Sequence, residues 1–91
     1  MEATVDKAAA VKTLVDGYFG KGGVGFIAVG KVTIMVSEQM SEPYVEVNWP
    51  SIGGKEALEA LAFANDLNEA CHIALVAEKA VRDLWLAQRT K

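Results

Sequence analysis

A run of helical periodicity fills the last third of this chain and limits what the remainder can build. From Lys55 onward the sequence reads KEALEALAFANDLNEACHIALVAEKAVRDLWLAQRTK. Stepping by three and four residues picks out Ala60, Phe63, Leu67, Ala70, Ala74, Ala77, Val81 and Leu84 as an unbroken apolar stripe, the pattern of a helix with one buried face. Glu59, Asp66, Glu69, His72, Lys79 and Asp83 fall off that stripe. A straight helix from Lys55 to Arg89 would be about 50 Å long at ~1.5 Å per residue, whereas a compact chain of this length has a radius of gyration near ~12 Å. The helix must therefore break or overhang. Asp66, followed by Glu69 three residues on, is a capping-box-like start that would place a turn at Asn65-Asp66. Without that turn the helix continues and its outer end packs on a partner.

The preceding chain supplies the surface for this helix to cover. Residues 2–19 form a first helix by the recurrence of Ala8, Val11, Leu14, Val15 and Tyr18, with Gly17 and Gly20 marking its end. After the loop Gly20-Lys21-Gly22-Gly23, β-branched residues dominate and the helical period disappears. Gly30-Lys31 suits a two-residue hairpin turn with glycine first. That turn pairs Val29 with Val32, Ile27 with Ile34 and Gly25 with Val36 on one face, leaving Phe26, Ala28, Thr33 and Met35 on the other. Ser37 to Pro43 reads as a polar turn. Tyr44 to Trp49 reads as a third strand, with Val45, Val47 and Trp49 on one side and Tyr44, Glu46 and Asn48 on the other. Pro50 stops it. The expected fold class is α+β in a single domain of residues 1–91: a helix, a three-stranded antiparallel sheet, then one long or two consecutive helices on one sheet face. The opposite face would show Phe26, Met35 and Tyr44, a contact surface unless the first helix or the loops cover it.

Composition narrows the function. The apolar fraction is 52%, above the roughly 45–50% of an average soluble chain, and the surplus points to a buried interface beyond the monomer core. Ala70, Ala74, Ala77, Val81, Leu84 and Trp85 are the expected homodimer surface. Net charge is −3, unevenly distributed. Glu38, Glu42, Glu46, Glu56, Glu59, Asp66 and Glu69 face only Lys55, whereas Lys79, Arg82, Arg89 and Lys91 face only Asp83. An acidic stretch steers toward a basic partner and repels phosphate. With one cysteine, no signal-peptide start and no long uncharged apolar run, a cytoplasmic protein without membrane contact is expected.

No motif for catalysis emerges. Cys71 and His72 are the only thiol and imidazole. As helix neighbours they diverge by about 100°, and two ligands are too few for structural zinc. Cys71 is expected as a small core residue and His72 at the boundary or surface. The acid pairs Glu56/Glu59 and Asp66/Glu69 read as solvated helix faces. Neither cofactor nor metal is expected, and no catalytic residue.

Three resemblances bear on function. Gly20-Lys21-Gly22-Gly23-Val24-Gly25 resembles the start of the deviant Walker A loop of ParA- and MinD-type ATPases. A P-loop continues with Lys and Ser or Thr and opens a helix; here Phe26 and Ile27 follow and lead into a strand, which makes the segment a glycine linker. The α-β-β-β-α order resembles that of double-stranded RNA-binding domains, which contact phosphate through lysines at the second helix's N-terminus. Lys55 stands there beside Glu56 and Glu59, so direct nucleic-acid binding is not expected. In size, acidity and mixed make-up the chain resembles phage-encoded inhibitors such as anti-CRISPR proteins, which block nucleic-acid-handling machines at basic surfaces. The residues themselves lead to the expectation of a non-enzymatic binding module, a homodimer, that occupies a basic partner surface with Glu38, Glu42, Glu46, Glu56 and Glu59 and with Phe26, Met35 and Tyr44. The resemblance adds only that it would act as such an inhibitor. A dimeric regulatory or accessory protein without inhibitory role is the alternative; a small enzyme or an RNA-binding-like domain fits less well.

Overall fold

The computed structural model describes residues 6–51 and 57–89. Five elements follow in the order α1 (Lys7–Phe19), β1 (Gly25–Val29), β2 (Val32–Gln39), β3 (Glu42–Asn48) and α2 (Ala57–Arg89). The α-β-β-β-α order read from the sequence is the order of the fold.

α1 begins where Asp6 takes an extended backbone and its carboxylate accepts a hydrogen bond from the Ala9 N–H at 3.1 Å, satisfying one donor that the first turn leaves free. The first four residues assigned to this helix from the sequence, 2–5, lie outside the described residues. The helix ends at Phe19, where the reading of residues 2–19 places its end, with Gly17 inside its last turn. The Gly20 N–H then donates to the Gly17 carbonyl at 3.2 Å.

The sheet is antiparallel in the order β1-β2-β3. Gly30 has φ 60°, as a two-residue turn with glycine first requires. Val29 pairs with Val32, Ile27 with Ile34 and Gly25 with Val36, the register that the Gly30-Lys31 turn dictates. The second connection differs from the expected polar loop over Ser37 to Pro43. Here β2 continues to Gln39, β3 starts at Glu42, and Gln39 pairs with Glu42, so only Met40 and Ser41 turn the chain. Both adopt positive φ, 53° and 69°, the handedness of a type I′ hairpin turn normally given to Asn and Gly. Left-handed backbone costs an ordinary residue roughly 1–2 kcal/mol, which is why neither residue type signals such a turn. Met40 is 92% exposed and has little packing to lose. Met40→Asn with Ser41→Gly is therefore expected to stabilise the fold by about 1 kcal/mol, read as a raised urea midpoint at unchanged slope. An unmoved midpoint would show that the turn does not hold this conformation.

Both helices cover the same face of the sheet: α1 lies over β1 and β2, α2 over β2 and β3, and the two helices touch. Period-two alternation sends Val32, Ile34 and Val36 into this layer, where they meet Leu14 of α1 and Ala70, Ile73, Ala77 and Val81 of α2. The long stripe of α2 thus faces the sheet, with Phe63, Leu67 and Trp85 half-buried toward its ends. Trp49 follows β3 and meets Phe63 edge-on at 6.5 Å.

Three details of α2 depart from the sequence reading. The helix is continuous over 33 residues, with no turn at Asn65-Asp66, and the molecule is 52 Å in its longest dimension. Asp66 does not cap a second helix; its carboxylate lies against Gly30, where a Cβ would collide with it. Cys71 is exposed rather than part of the core, because it stands about 100° around the helix from fully buried Ala70. Ile73, which the three-four stepping passes over, is buried instead. Among the described residues, no helix is long and apolar enough to cross a membrane.

Candidate interface on the open face of the sheet

With both helices on one side, the other side of the sheet meets solvent. Phe26, Met35 and Glu46 stand in one cross-strand row, Ala28, Thr33 and Asn48 in the next, and Ser37 opposite Tyr44 beyond them. Phe26 is 56% and Tyr44 43% exposed, and Met35 is half-buried. Among the described residues, neither α1 nor a loop covers the two aromatic rings. The Asn48 side-chain amide donates to the Glu46 carboxylate at 2.7 Å, which orients that carboxylate along the strand. Of the strands' three charged residues, Glu38 alternates with Ile34 and Val36 onto the helix side and Glu42 sits at the hairpin end, so Glu46 is the carboxylate that stands among the rings. The face therefore combines apolar rings with negative charge and no base, a combination suited to a guanidinium, which stacks on aromatic faces and pairs with carboxylates.

The acidic residues grouped along the sequence do not form one surface. Glu46 lies among Phe26, Met35 and Tyr44. Glu42, at the β2–β3 hairpin, is paired with Arg82 of α2, whose Nη1 donates to it at 3.3 Å; Nη2 donates to the Pro43 carbonyl at 3.3 Å and Nε to Glu78 at 2.9 Å. Arg82 thus fastens α2 to the hairpin, and both carboxylates hold its pKa further above the ordinary value. Glu38 is exposed at the end of β2, and Glu59 is exposed in the first turn of α2, in the layer on the far side of the sheet. Glu56 lies outside the described residues. Of the residues expected to form a dimer, Ala70, Ala74, Ala77 and Val81 are buried within the single chain and Trp85 packs half-buried against the core, leaving Leu84, 47% exposed. The close-packing stripe serves the contact with α1 and the sheet. Of that set, Leu84 is the residue left open to a second copy.

Tyr18, buried at the C-terminal end of α1, has its hydroxyl pKa pushed above the usual 10.0 first by burial and then by the Glu38 carboxylate, with Arg82 acting in the opposite direction. Lys12 and Lys79, on the surface, are also raised, each by a hydrogen bond to the carboxylate four residues on, Asp16 at 2.6 Å and Asp83 at 2.9 Å. For all three groups the folded state holds the proton more tightly than the unfolded chain. Their stabilising contribution is present below the unfolded pKa and is lost as pH rises through the folded one. Thermal melts should show stability falling above about pH 10, and Tyr18→Phe should make that alkaline decline shallower. An equally steep decline in Tyr18→Phe would remove Tyr18 from the account.

The sequence reading found the open face because a strand alternates with a period of two whatever its partners. It passed over Arg82, whose three acceptors come from α2 itself and from a hairpin about forty residues earlier; nothing local marks such a contact. No family model matches this chain, and comparison with curated proteins and with solved structures yields no match.

Proposed function

We propose that this protein is a non-enzymatic binding module that docks the open face of its sheet on a basic protein surface and acts by occupying it. One observation carries the reading. Two exposed aromatic rings and a methionine share a sheet face with the Glu46 carboxylate, and its strands hold no base. Single exposed apolar residues are ordinary, but a cluster rimmed by polar groups marks an interaction site. In this arrangement Phe26, Met35 and Tyr44 supply the dry centre, and Glu46 supplies the charge that selects a basic partner. Phage-encoded inhibitors of nucleic-acid-handling complexes work in this manner, and so do regulatory subunits that mask a basic patch; the chemistry of the face is common to both.

An arginine-rich peptide titrated into isotopically labelled protein tests the reading. Amide shifts are expected to cluster on Phe26, Met35, Tyr44 and Glu46 and to weaken with salt, since the Debye length falls from about 10 Å at 0.1 M to about 3 Å at 1 M. Glu46→Lys should reduce affinity about tenfold. Glu42→Lys is a poorer probe because it also releases Arg82 from the hairpin. Shifts centred on Glu38 or Glu59, or none at all, would overturn the assignment.

A further inference from the structure

A groove of about 570 Å³ lies between the first turns of α1 and the middle of α2. Ala8 and Val11 form one side of it, and Ile73, Leu75 and Val76 the other. Leu75 is 70% and Val76 58% exposed, at positions where a solvent-facing helix normally carries charge. Apolar clefts of roughly 300–1,000 Å³ with a few placed polar groups are the usual form of small-ligand sites. Here the polar groups are Lys7 and His72, and none of the lining residues is acidic. Among the described residues neither of the two has an ion-pair partner. Asp6, next to Lys7, turns its carboxylate to the Ala9 N–H, and Glu69, one turn before His72, pairs with neither. Farther along α2 a shallower continuation shares Leu75 and Val76 and adds Lys79, Ala80 and Asp83. There the Lys79 charge is met by Asp83 at 2.9 Å.

The groove is therefore apolar along its length, with unpaired positive charge from Lys7 and a hydrogen-bonding imidazole at one end. This charge opposes the sign of the whole chain, which carries −3. It selects an anion with an apolar tail. An extended peptide would bring backbone polar groups for which these side chains offer no partner, whereas an alkyl chain brings none. We propose that the groove binds the anion of a medium-chain fatty acid, its carboxylate at Lys7 and His72 and its chain along Val11, Leu75 and Val76. The open sheet face, which offers a carboxylate and suits a cation, is a separate site, and the inference does not rest on what that face binds.

Decanoate, kept below its micelle concentration and titrated into isotopically labelled protein, tests the proposal, with decyltrimethylammonium as a cation of matching tail. Amide shifts from decanoate are expected at Ala8, Val11, His72 and Val76 and to saturate at one equivalent per chain. Decyltrimethylammonium should bind there at least fivefold more weakly, although the net charge of the chain favours it. Octanoate should bind about fourfold more weakly than decanoate, as expected for two methylenes half removed from water. Lys7→Glu should weaken decanoate about fivefold and Leu75→Glu at least tenfold. Both variants should keep the parent's melting curve, since both side chains are exposed. Phe26→Ala should leave decanoate binding unchanged, which keeps this result separate from that of the open face. Shifts absent from the groove, equal affinity for the two amphiphiles, or indifference to both charge reversals would each overturn the proposal. So would shifts of the same residues with protein concentration alone, which would place a second copy in the groove, or their saturation by an amphipathic helical peptide but not by decanoate.

Discussion

Gly25→Ala is expected to leave the protein unfolded or nearly so. Gly25 is buried on β1 directly beneath α1, and a Cβ there would run into the Leu14 carbonyl oxygen and come within 2.8 Å of the Leu14 carbonyl carbon and Cα. From the other side, a Cβ on Gly17 would stand 2.6 Å from the Gly25 Cα and 2.7 Å from the Val24 oxygen. Every one of these is a backbone atom, so no side chain can rotate out of the way. α1 would have to withdraw from the sheet, opening the contacts of Leu14, which is fully buried. Overpacking a core costs roughly 1–3 kcal/mol where side chains can adjust; where only backbone can move, about 4 kcal/mol or more is expected. A 91-residue chain holds roughly 5–13 kcal/mol in all. Gly17→Ala gains about 1 kcal/mol of helix propensity and should still be destabilising. Gly22→Ala, where a Cβ meets nothing within 4 Å, should lie within about 0.5 kcal/mol of the parent. Urea titrations of the three variants provide the check. A Gly25→Ala protein with the parent's midpoint would mean that α1 and β1 are not in backbone contact.

That contact also shows what a sequence discloses and what it withholds. Glycines at positions 17, 20, 22, 23 and 25 look alike in the sequence, and helix propensity argues for ending α1 at the first of them. The helix reaches Phe19, as the apolar period through Tyr18 indicates, but the reason for a glycine at position 17, its close approach to β1, is a tertiary fact that no local preference encodes. The Gly30-Lys31 hairpin was legible for the opposite reason: its turn residue and the alternation on both sides agree on a single register. At Met40-Ser41 the turn residues contradict the conformation they adopt, and the hairpin was hidden. The inward stripe of α2 was readable, but its meaning was ambiguous, since small residues permit close approach without saying to what. Intramolecular packing claims Ala70, Ala74 and Ala77. The acidic stretch was visible as a sum over sequence and is dispersed in space, because β3 and α2 lie in different layers.

Ile34→Ala and Met35→Ala, one residue apart in the central strand, should fail in opposite ways. Ile34 is fully buried and lies between Ile27 and Val47 on the covered face. Its truncation removes three carbons from a closed layer, and about 2–5 kcal/mol of stability should go with them. Whatever fraction remains folded should bind as the parent does, because the open face is untouched. Met35 stands between Phe26 and Glu46 on the open face, where truncation should cost less than about 1 kcal/mol in stability and act on binding instead. Phe26→Ala and Tyr44→Ala belong to the same class and should each lose about 2 kcal/mol of binding free energy, roughly thirtyfold in affinity. The loss should appear as faster dissociation and change little with salt. Glu46→Lys should differ from all of these by slowing association, an effect that added salt in the parent reproduces. Two residues adjacent in sequence thus separate the fold from the interface, and two kinds of substitution on one face separate its contact area from its charge. Should Met35→Ala, Phe26→Ala and Tyr44→Ala all bind the arginine-rich peptide as tightly as the parent, the open face is a solvated surface and the partner docks elsewhere.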